Sequence, residues 1–333
     1  MLPTTILALE TALASSVTIT IDVLAMANHV ARAAGRPPAF DVRLVGTGAA
    51  LFRPFLAFPE AKHDQASLFI VPAQGLSKAD DYRERLAQPD AEAGRRLIAE
   101  AAVSAHIASS CTGTLLLAGT GLLDGHRATT AWWLAPDFRA LFPAVTLDTD
   151  ALVLTDGAFT TAGAAMAQMD LMVGLIARCA GAEIAQECAR RMVLDQRRSQ
   201  TPYMAMGLLT ASSESVARAA TWARPRLGDG IGVNDVAAAV GQSPRTFSRR
   251  VVAATGLSPI QFLQQLRVEQ AVELIETTTL PLEEVAWRVG YSDTSTLRSL
   301  IRRGAGLGPR ELRARARVAS PPGVALGGGE RGS

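Results

Sequence analysis

The chain has 333 residues, 48% of them hydrophobic and 19% charged, with a net charge of +2. That size suits two domains, and the apolar content is ample for two cores. No run of about 20 apolar residues is present, which excludes a helical membrane span. Cys111, Cys179 and Cys188 form an odd set without metal-ligand spacing, so neither a disulfide framework nor a metal centre is expected, and a reducing cytoplasm is.

Met1–Leu9 lacks a basic region and a cleavage site, so no secretory signal is expected there. Thr5–Leu9 reads as a buried strand, Ile19–Ala34 as a helix and Phe40–Val45 as a strand. Leu68–Val71 is a short apolar strand that runs into the loop Pro72–Gly75. Ala91–Ala101 reads as a helix, Ser104–Ser109 as a strand and Thr112–Thr120 as a helix. Val145–Asp148, Leu152–Thr155 and Phe159–Thr161 read as short strands around the turn at Asp156-Gly157. Gly163–Cys179 is a long core helix, broken by polar Gln168, Asp170 and Arg178. This alternation predicts a flavodoxin-like parallel α/β sandwich over residues 1–195. Residues 196–215, polar and containing Pro202, read as a linker, and residues 216–318 as an all-α domain. Residues 319–333, with Pro-Pro and Gly-Gly-Gly, are expected to be a disordered tail.

The all-α segment nearly repeats itself. Ala237-x-x-x-Gly241-x-Ser243 recurs as Ala286-x-x-x-Gly290-x-Ser292, an offset of 49, whereas Gly256-Leu257-Ser258-Pro259 recurs as Gly306-Leu307-Gly308-Pro309, an offset of 50. Two copies of one helical unit, the second a residue longer, predict paired helix-turn-helix modules. In each, a small alanine lets two helices approach and a glycine supplies the positive φ of the turn. Ser243 and Ser292 are expected to cap the second helices, with Pro244 in the first turn of its helix. Phe247 and Val251, then Leu297, Leu300 and Ile301, are the expected apolar anchors. Pro259–Thr277 reads as one long helix, with Leu263, Leu266, Ala271, Leu274 and Ile275 along a stripe. Such a helix can hold two modules about one DNA turn apart, roughly 34 Å.

The outward positions of the second helices are Arg245, Thr246, Ser248, Arg249 and Arg250, then Thr294, Ser295, Thr296, Arg298, Arg302 and Arg303. Arginine reads guanine bidentately or grips phosphate, and hydroxyls serve either purpose. Charge agrees: the net is +5 from Arg224 onward and −3 before it. The solvated basic face remains the bland alternative for either copy alone; the repetition argues against it.

Residues 220–313 resemble the AraC/XylS family of bacterial transcription regulators, through Gly241–Arg250, Thr255–Phe262, Leu266-Arg267, Val285–Asp293 and Gly308–Arg313. The second copy departs from the family at Leu297, Leu300 and Ala305, where aromatic residues are usual. The resemblance implies double-stranded DNA as partner, with Arg245, Ser248 and Arg249 as base readers in module one. In module two it implies Thr294, Ser295 and Arg298.

One constellation before residue 195 could carry chemistry. Cys111, in Ser109-Ser-Cys-Thr-Gly-Thr114, lies where a strand turns sharply into a helix. Such a turn presents its side chain at the sheet edge, and a helix N-terminus lowers a thiol's pKa. A cysteine nucleophile and a small residue in a tight turn are the two readings. This region resembles the PfpI-like branch of the class I glutamine amidotransferase superfamily, in the form fused to AraC-type domains. The matching residues are Phe69–Gly75, Ser110–Thr114, Leu117–Gly125, Arg127–Thr130, Gly163–Leu171, Ala189–Met192 and Gln200–Tyr203. Where that fused family has His-Trp, this chain has Ala131-Trp132, and where catalytic branches place an acid it has Ser15 and Ser16, with Glu10 several residues early. His29, His63, His106 and His126 do not stand where a base is needed. A thiolate without a proton partner has little means to turn over. The expectation is a ligand sensor that is not an enzyme and needs no cofactor; the alternative is a cysteine-dependent hydrolase or hydratase using Cys111. The resemblance implies a site lined by Gln74, Gly75, Cys111, Thr112, Ala131 and Trp132. It also implies a small amino or quaternary-ammonium effector, to which a tryptophan face is suited, a homodimer, and RNA polymerase as a further partner.

Overall fold

A computed structural model of the chain describes residues 1–75, 82–195, 197, 199–204, 206–210 and 213–319, which divide into two units between Gln200 and Thr201. Ser320–Ser333, most of the expected tail, and several positions of the expected linker lie outside the described residues, whereas Ala319 ends a helix.

The first unit is an α/β sandwich. Its strands are β1 (Leu2–Leu7), β2 (Phe40–Val45), β3 (Leu68–Val71), β4 (His106–Ser110), β5 (Val153–Asp156) and β6 (Phe159–Ala162). They form, among the described residues, a six-stranded sheet in the order β2-β1-β3-β4-β6-β5, parallel except for β5 on β6, and the short stretches Arg127–Ala128 and Thr146–Leu147 pair in parallel as a separate two-stranded sheet. β3 is buried throughout, as a parallel strand covered on both faces must be. One face packs on α1 (Ala14–Ala33), α4 (Ala167–Ala180) and α5 (Ala182–Arg191), through Val17, Leu24, Leu171 and Ile184. The other packs on α2 (Pro89–Ala101), α3 (Gly113–Ala118) and the short helix Ala135–Leu141, through Ile98, Leu115 and Phe138. Register aligns the carboxyl ends of β3 and β4, with Val71 opposite Ser109. The crevice beyond those ends is where open α/β sheets bind ligands.

The first strand runs Leu2–Leu7 rather than Thr5–Leu9, and two helix boundaries differ most from expectation, for physical reasons. The long helix begins at Ala167 rather than Gly163: the Gly163 N–H donates to the Leu152 carbonyl at 2.8 Å, carrying on the pairing of the last two strands past Ala162. The helix expected from Ile19 begins at Ala14: Ser15 and Ser16 lie in its first turn, and the Ser16 hydroxyl accepts from the Ala73 backbone N–H. α5 carried no strong sequence signal and was not expected.

The second unit is helical. The first module comprises a helix at Val233–Ala239 and a recognition helix at Pro244–Thr255; the second comprises Leu282–Arg288 and a recognition helix at Thr294–Ala305. The linker helix between them spans Pro259–Thr277, as its stripe predicts. It buries more than one stripe. Phe262, Leu263 and Leu266 are buried, and Phe262 meets Phe247 of the first module edge-on at 6.3 Å between centroids. Ala271 and Ile275 join Val285, Val289, Leu297, Ile301 and Leu312 in the core of the second. A fully buried leucine or phenylalanine contributes roughly 1.5–3 kcal/mol, so neither module can leave the linker cheaply.

A seam fixes the modules further. Arg267 of the linker donates to the Ile231 carbonyl at 3.0 Å and lies over the Tyr291 ring at 5.5 Å. Beside it, Gly290 packs so closely that an added Cβ would lie 2.2 Å from the Leu227 carbonyl oxygen. Both turn glycines adopt left-handed φ, 69° at Gly241 and 82° at Gly290, but Gly241 has open space around it. Gly241→Ala should therefore cost about 1 kcal/mol of backbone strain. Gly290→Ala should cost at least twice that, because carbonyl and methyl cannot share the space. Urea melts of both full-length variants, followed by tryptophan fluorescence, check the ranking; equal losses would contradict it.

Candidate functional site

The two recognition helices stand in one register, each residue of the second 50 positions after its counterpart. Phe247 and Leu297 are buried at one position, Val251 and Ile301 at the next, and Gly256 and Gly306 close both helices in the left-handed region. Leu300 is only half-buried, because it occupies the place of exposed Arg250.

Ser243 caps the first helix, its hydroxyl accepting from the Thr246 N–H at 3.3 Å, and Pro244 fills the first turn. The second cap corrects the sequence reading. Asp293, not Ser292, accepts from the Thr296 N–H, at 2.8 Å. The additional residue of the second copy falls between turn glycine and cap, so the offset changes from 49 to 50 there. Hydrogen bonds from Ser295 and Thr296 hold the Asp293 carboxyl down at about 2. The cap is therefore ionised at neutral pH, and its contribution is full above the ordinary value of 3.8 and is lost progressively as pH falls from there through about 2.

Arg245, Arg249, Arg250, Ser295, Arg298, Arg302 and Arg303 are exposed, while Thr246, Ser248 and Thr294 are half-buried. Thr246 is partly committed to the cap, since its hydroxyl accepts from Ser243. Among the described residues Arg245, Arg249, Arg250 and Arg298 make no ion pair, whereas Arg302 has Glu311 at 3.9 Å. Ser299, exposed at the place of Arg249, was not singled out from sequence; the 50-residue register would have found it. Beside the second recognition helix lies a cleft of about 670 Å³ walled by Arg298, Arg302, Arg310 and Arg313, with Glu283 and Glu311.

In the α/β unit the expected site residues converge at the end of β4. Cys111 has φ 51°, the strained turn foreseen for it. Gly113 is obligatory beneath it, since a Cβ there would lie 2.5 Å from the Pro72 carbonyl oxygen. The Thr112 hydroxyl bonds both the N–H and the carbonyl of Gln74, each at 2.7 Å. The Thr130 hydroxyl donates to the Cys111 carbonyl at 2.7 Å, which draws Ala131 and Trp132 alongside. Gln74, Cys111, Thr112, Ala131 and Trp132 are buried and Gly75 is exposed. The Trp132 ring meets Trp133 edge-on at 5.5 Å.

The thiol is the second correction. A helix N-terminus was expected to lower its pKa. Burial instead pushes Cys111 up to about 11, against the pull of hydrogen bonds from Thr112 and from the Ala165 backbone. Desolvation wins because the sulfur is sealed off. No histidine compensates: His106 bonds Thr160 at 2.8 Å and burial holds it down at about 4, His126 is beside Asp156 at 3.3 Å, His63 bonds Thr5 at 3.1 Å, and His29 is exposed. Among the described residues no group of three His, Cys, Asp or Glu could hold a metal.

Gln200 belongs to this site and was not named as lining it. Buried to 1% exposure, it accepts from the Trp132 N–H at 3.2 Å and donates to the Thr130 carbonyl at 2.9 Å. Its place in the matching stretch Gln200–Tyr203 was the available signal, but only tertiary structure brings it back to residues 129–132.

Residues 236–315 match the family described as a helix-turn-helix domain. The chain is 26% identical over 220 residues to the HTH-type transcriptional regulator GbdR of Pseudomonas aeruginosa, covering 65% of this chain and 60% of that protein. It therefore spans about three fifths of the length of that relative. The first unit aligns with a ThiJ/PfpI family protein from Pseudomonas syringae at 18% identity and TM-score 0.43, over 59% of this chain and 76% of that one. The second aligns with the DNA-binding domain of AdpA, solved with a target DNA, at 38% identity and TM-score 0.31, over 33% of this chain and 100% of that one. No helix among the described residues is long and apolar enough to cross a membrane.

With a pKa of about 11, on the order of one Cys111 thiol in several thousand is ionised at pH 7.5. Iodoacetamide at that pH should label exposed Cys179 in the native protein and spare Cys111 until urea is added. Mass spectrometry of the labelled peptides is the check; rapid labelling of native Cys111 would contradict the sealed thiol.

Proposed function

We propose that this chain, an AraC-type helix-turn-helix protein with a PfpI-like α/β unit ahead of it, is a sequence-specific DNA-binding transcriptional regulator controlled by a small molecule. One observation carries the reading: two capped helices in a common register, each presenting arginines without an acidic partner among the described residues. Arg245, Ser248 and Arg249 read bases in one major groove, and Ser295, Arg298 and Ser299 take the matching positions in the next. Thr246, Arg250, Thr294 and Arg302 lie at the flanks of those faces and suit phosphate contact. The arginine-walled cleft extends that basic surface alongside the second helix.

The α/β unit is the sensor, and the protein is not an enzyme. What supports this is the protonated, buried Cys111 without a base or acid. The effector enters at Gln74, Gly75, Cys111, Thr112, Ala131 and Trp132. The regulator acts in the cytoplasm as a homodimer and meets RNA polymerase at its promoters; two-fold operators make a dimer the economical arrangement.

Fluorescence anisotropy on the chain's own upstream DNA, at two salt concentrations, tests the DNA reading. Arg245→Ala with Arg249→Ala should weaken specific binding at least about a hundredfold, at roughly 1–3 kcal/mol per lost bidentate contact. Arg298→Ala alone should cost about tenfold or more. Equal affinity for random DNA, unchanged by these substitutions across an effector screen, would overturn the proposal.

A further inference from the structure

The Gln200 side chain satisfies a cradle made of backbone. Its Oε1 accepts from the Trp132 N–H at 3.2 Å. Its Nε2 faces the Thr130 carbonyl at 2.9 Å, the Thr129 hydroxyl at 3.2 Å and the Ala151 carbonyl at 3.3 Å. Gly163 makes the room: a Cβ there would lie 2.7 Å from Oε1. The cradle adjoins the thiol, for Ala162 accepts the Cys111 N–H at 2.9 Å and Thr130 holds the Cys111 carbonyl. A buried cradle of one donor and three acceptors demands an occupant of matching pattern. A primary amide matches it and an ammonium satisfies its acceptors; a fully alkylated ammonium has no N–H to give, and a carboxylate would face two carbonyls.

Gln200 is also the last residue of the first unit. The chain that follows it is built into the second. Thr201–Tyr203 packs against the second recognition helix, and the helix Met206–Thr210 against the first. Met204, Met206 and Leu209 are buried, and the Met206 N–H donates to Glu269 of the linker helix at 2.8 Å. Glu269 also pairs with Arg224 at 2.7 Å. One short stretch thus has a side chain plugged into the sensor site at its start and supports both recognition helices over its next ten residues.

We propose that Gln200 is a tethered occupant of the effector site, and that an effector presenting a primary amide or ammonium group replaces it and releases the segment beneath the recognition helices. This rests on the regulator reading above. It gives ligand binding a covalent route to the DNA-binding face, since displacing Gln200 shifts the residue bonded to Thr201.

The test uses the full-length protein and three changes. Gln200→Gly deletes the side chain, and Gln200→Glu keeps its shape while removing the donors. A Gly-Gly-Ser insertion between Gln200 and Thr201 leaves every contact of both units in place and cuts only the tether. Hydrogen exchange of peptides within 199–210 and operator affinity are read for each, with propionamide, the deleted side chain as a free molecule, as the probe. Both substitutions should speed exchange in 199–210 and weaken operator binding at least threefold. Propionamide should change neither exchange nor affinity in Gln200→Gly or Gln200→Glu, because a free amide fills the cradle without re-engaging the chain at Thr201. In the insertion variant propionamide should leave DNA affinity unchanged, whereas in wild type at high concentration it should compete with Gln200 and weaken binding. Wild-type exchange and affinity in Gln200→Glu, or a propionamide response in the insertion variant equal to wild type, would overturn the proposal. Wild-type protein that never binds its operator specifically would instead sink the regulator reading.

Discussion

The arrangement of the helical unit depends on one helix being buried from two sides. Pro259–Thr277 contributes Phe262 and Leu266 to one module and Ala271 and Ile275 to the other, so each module's core is incomplete without it. An amphipathic helix with a single stripe could hold one partner; this one has apolar residues around much of its circumference. Arg267 and the Gly290–Leu227 contact then lock the rotation between modules, through a cation over a ring and a backbone approach that tolerates no methyl. With the cores shared, the two arginine-bearing faces keep a set relation.

In the α/β unit the contest is between a helix terminus and burial. The turn at Cys111 keeps the geometry that presents a nucleophile: left-handed φ, a glycine two residues on, and donors from Thr112 and Ala165. Partial charges at a helix end stabilise a thiolate modestly, whereas removing water from around the sulfur opposes it more strongly. At Cys111 the turn geometry and the electrostatics thus oppose each other. The polar groups around that turn are satisfied by Gln74, Thr112, Thr130 and Gln200.

Much of this was legible in the chain. The helix Pro259–Thr277 and the strands Phe40–Val45 and Leu68–Val71 follow from periodicity and apolar runs because local pattern and tertiary burial agree there. The turn glycines and Ser243 were legible because each does a job that few residue types can do. The second cap was misread because Ser292 and Asp293 are both good caps and adjacent. Only the packing of Leu297 and Ile301 sets the helix phase and selects Asp293. Ser299 was missed for the same reason: before the extra residue is located, the two helices cannot be aligned.

By itself the sequence determined the class of each unit, the duplicated module, the basic carboxyl-terminal third and the turn at Cys111. These are matters of spacing, residue type and charge, which neighbours along the chain carry. Tertiary structure alone decided that Cys111 is sealed and protonated, that Arg267 and Leu227 meet the turn at Gly290, and that Gln200 returns to residues 129–132. Each depends on what surrounds a group in space, on water excluded and carbonyls brought near, and no local pattern encodes a neighbour seventy residues away.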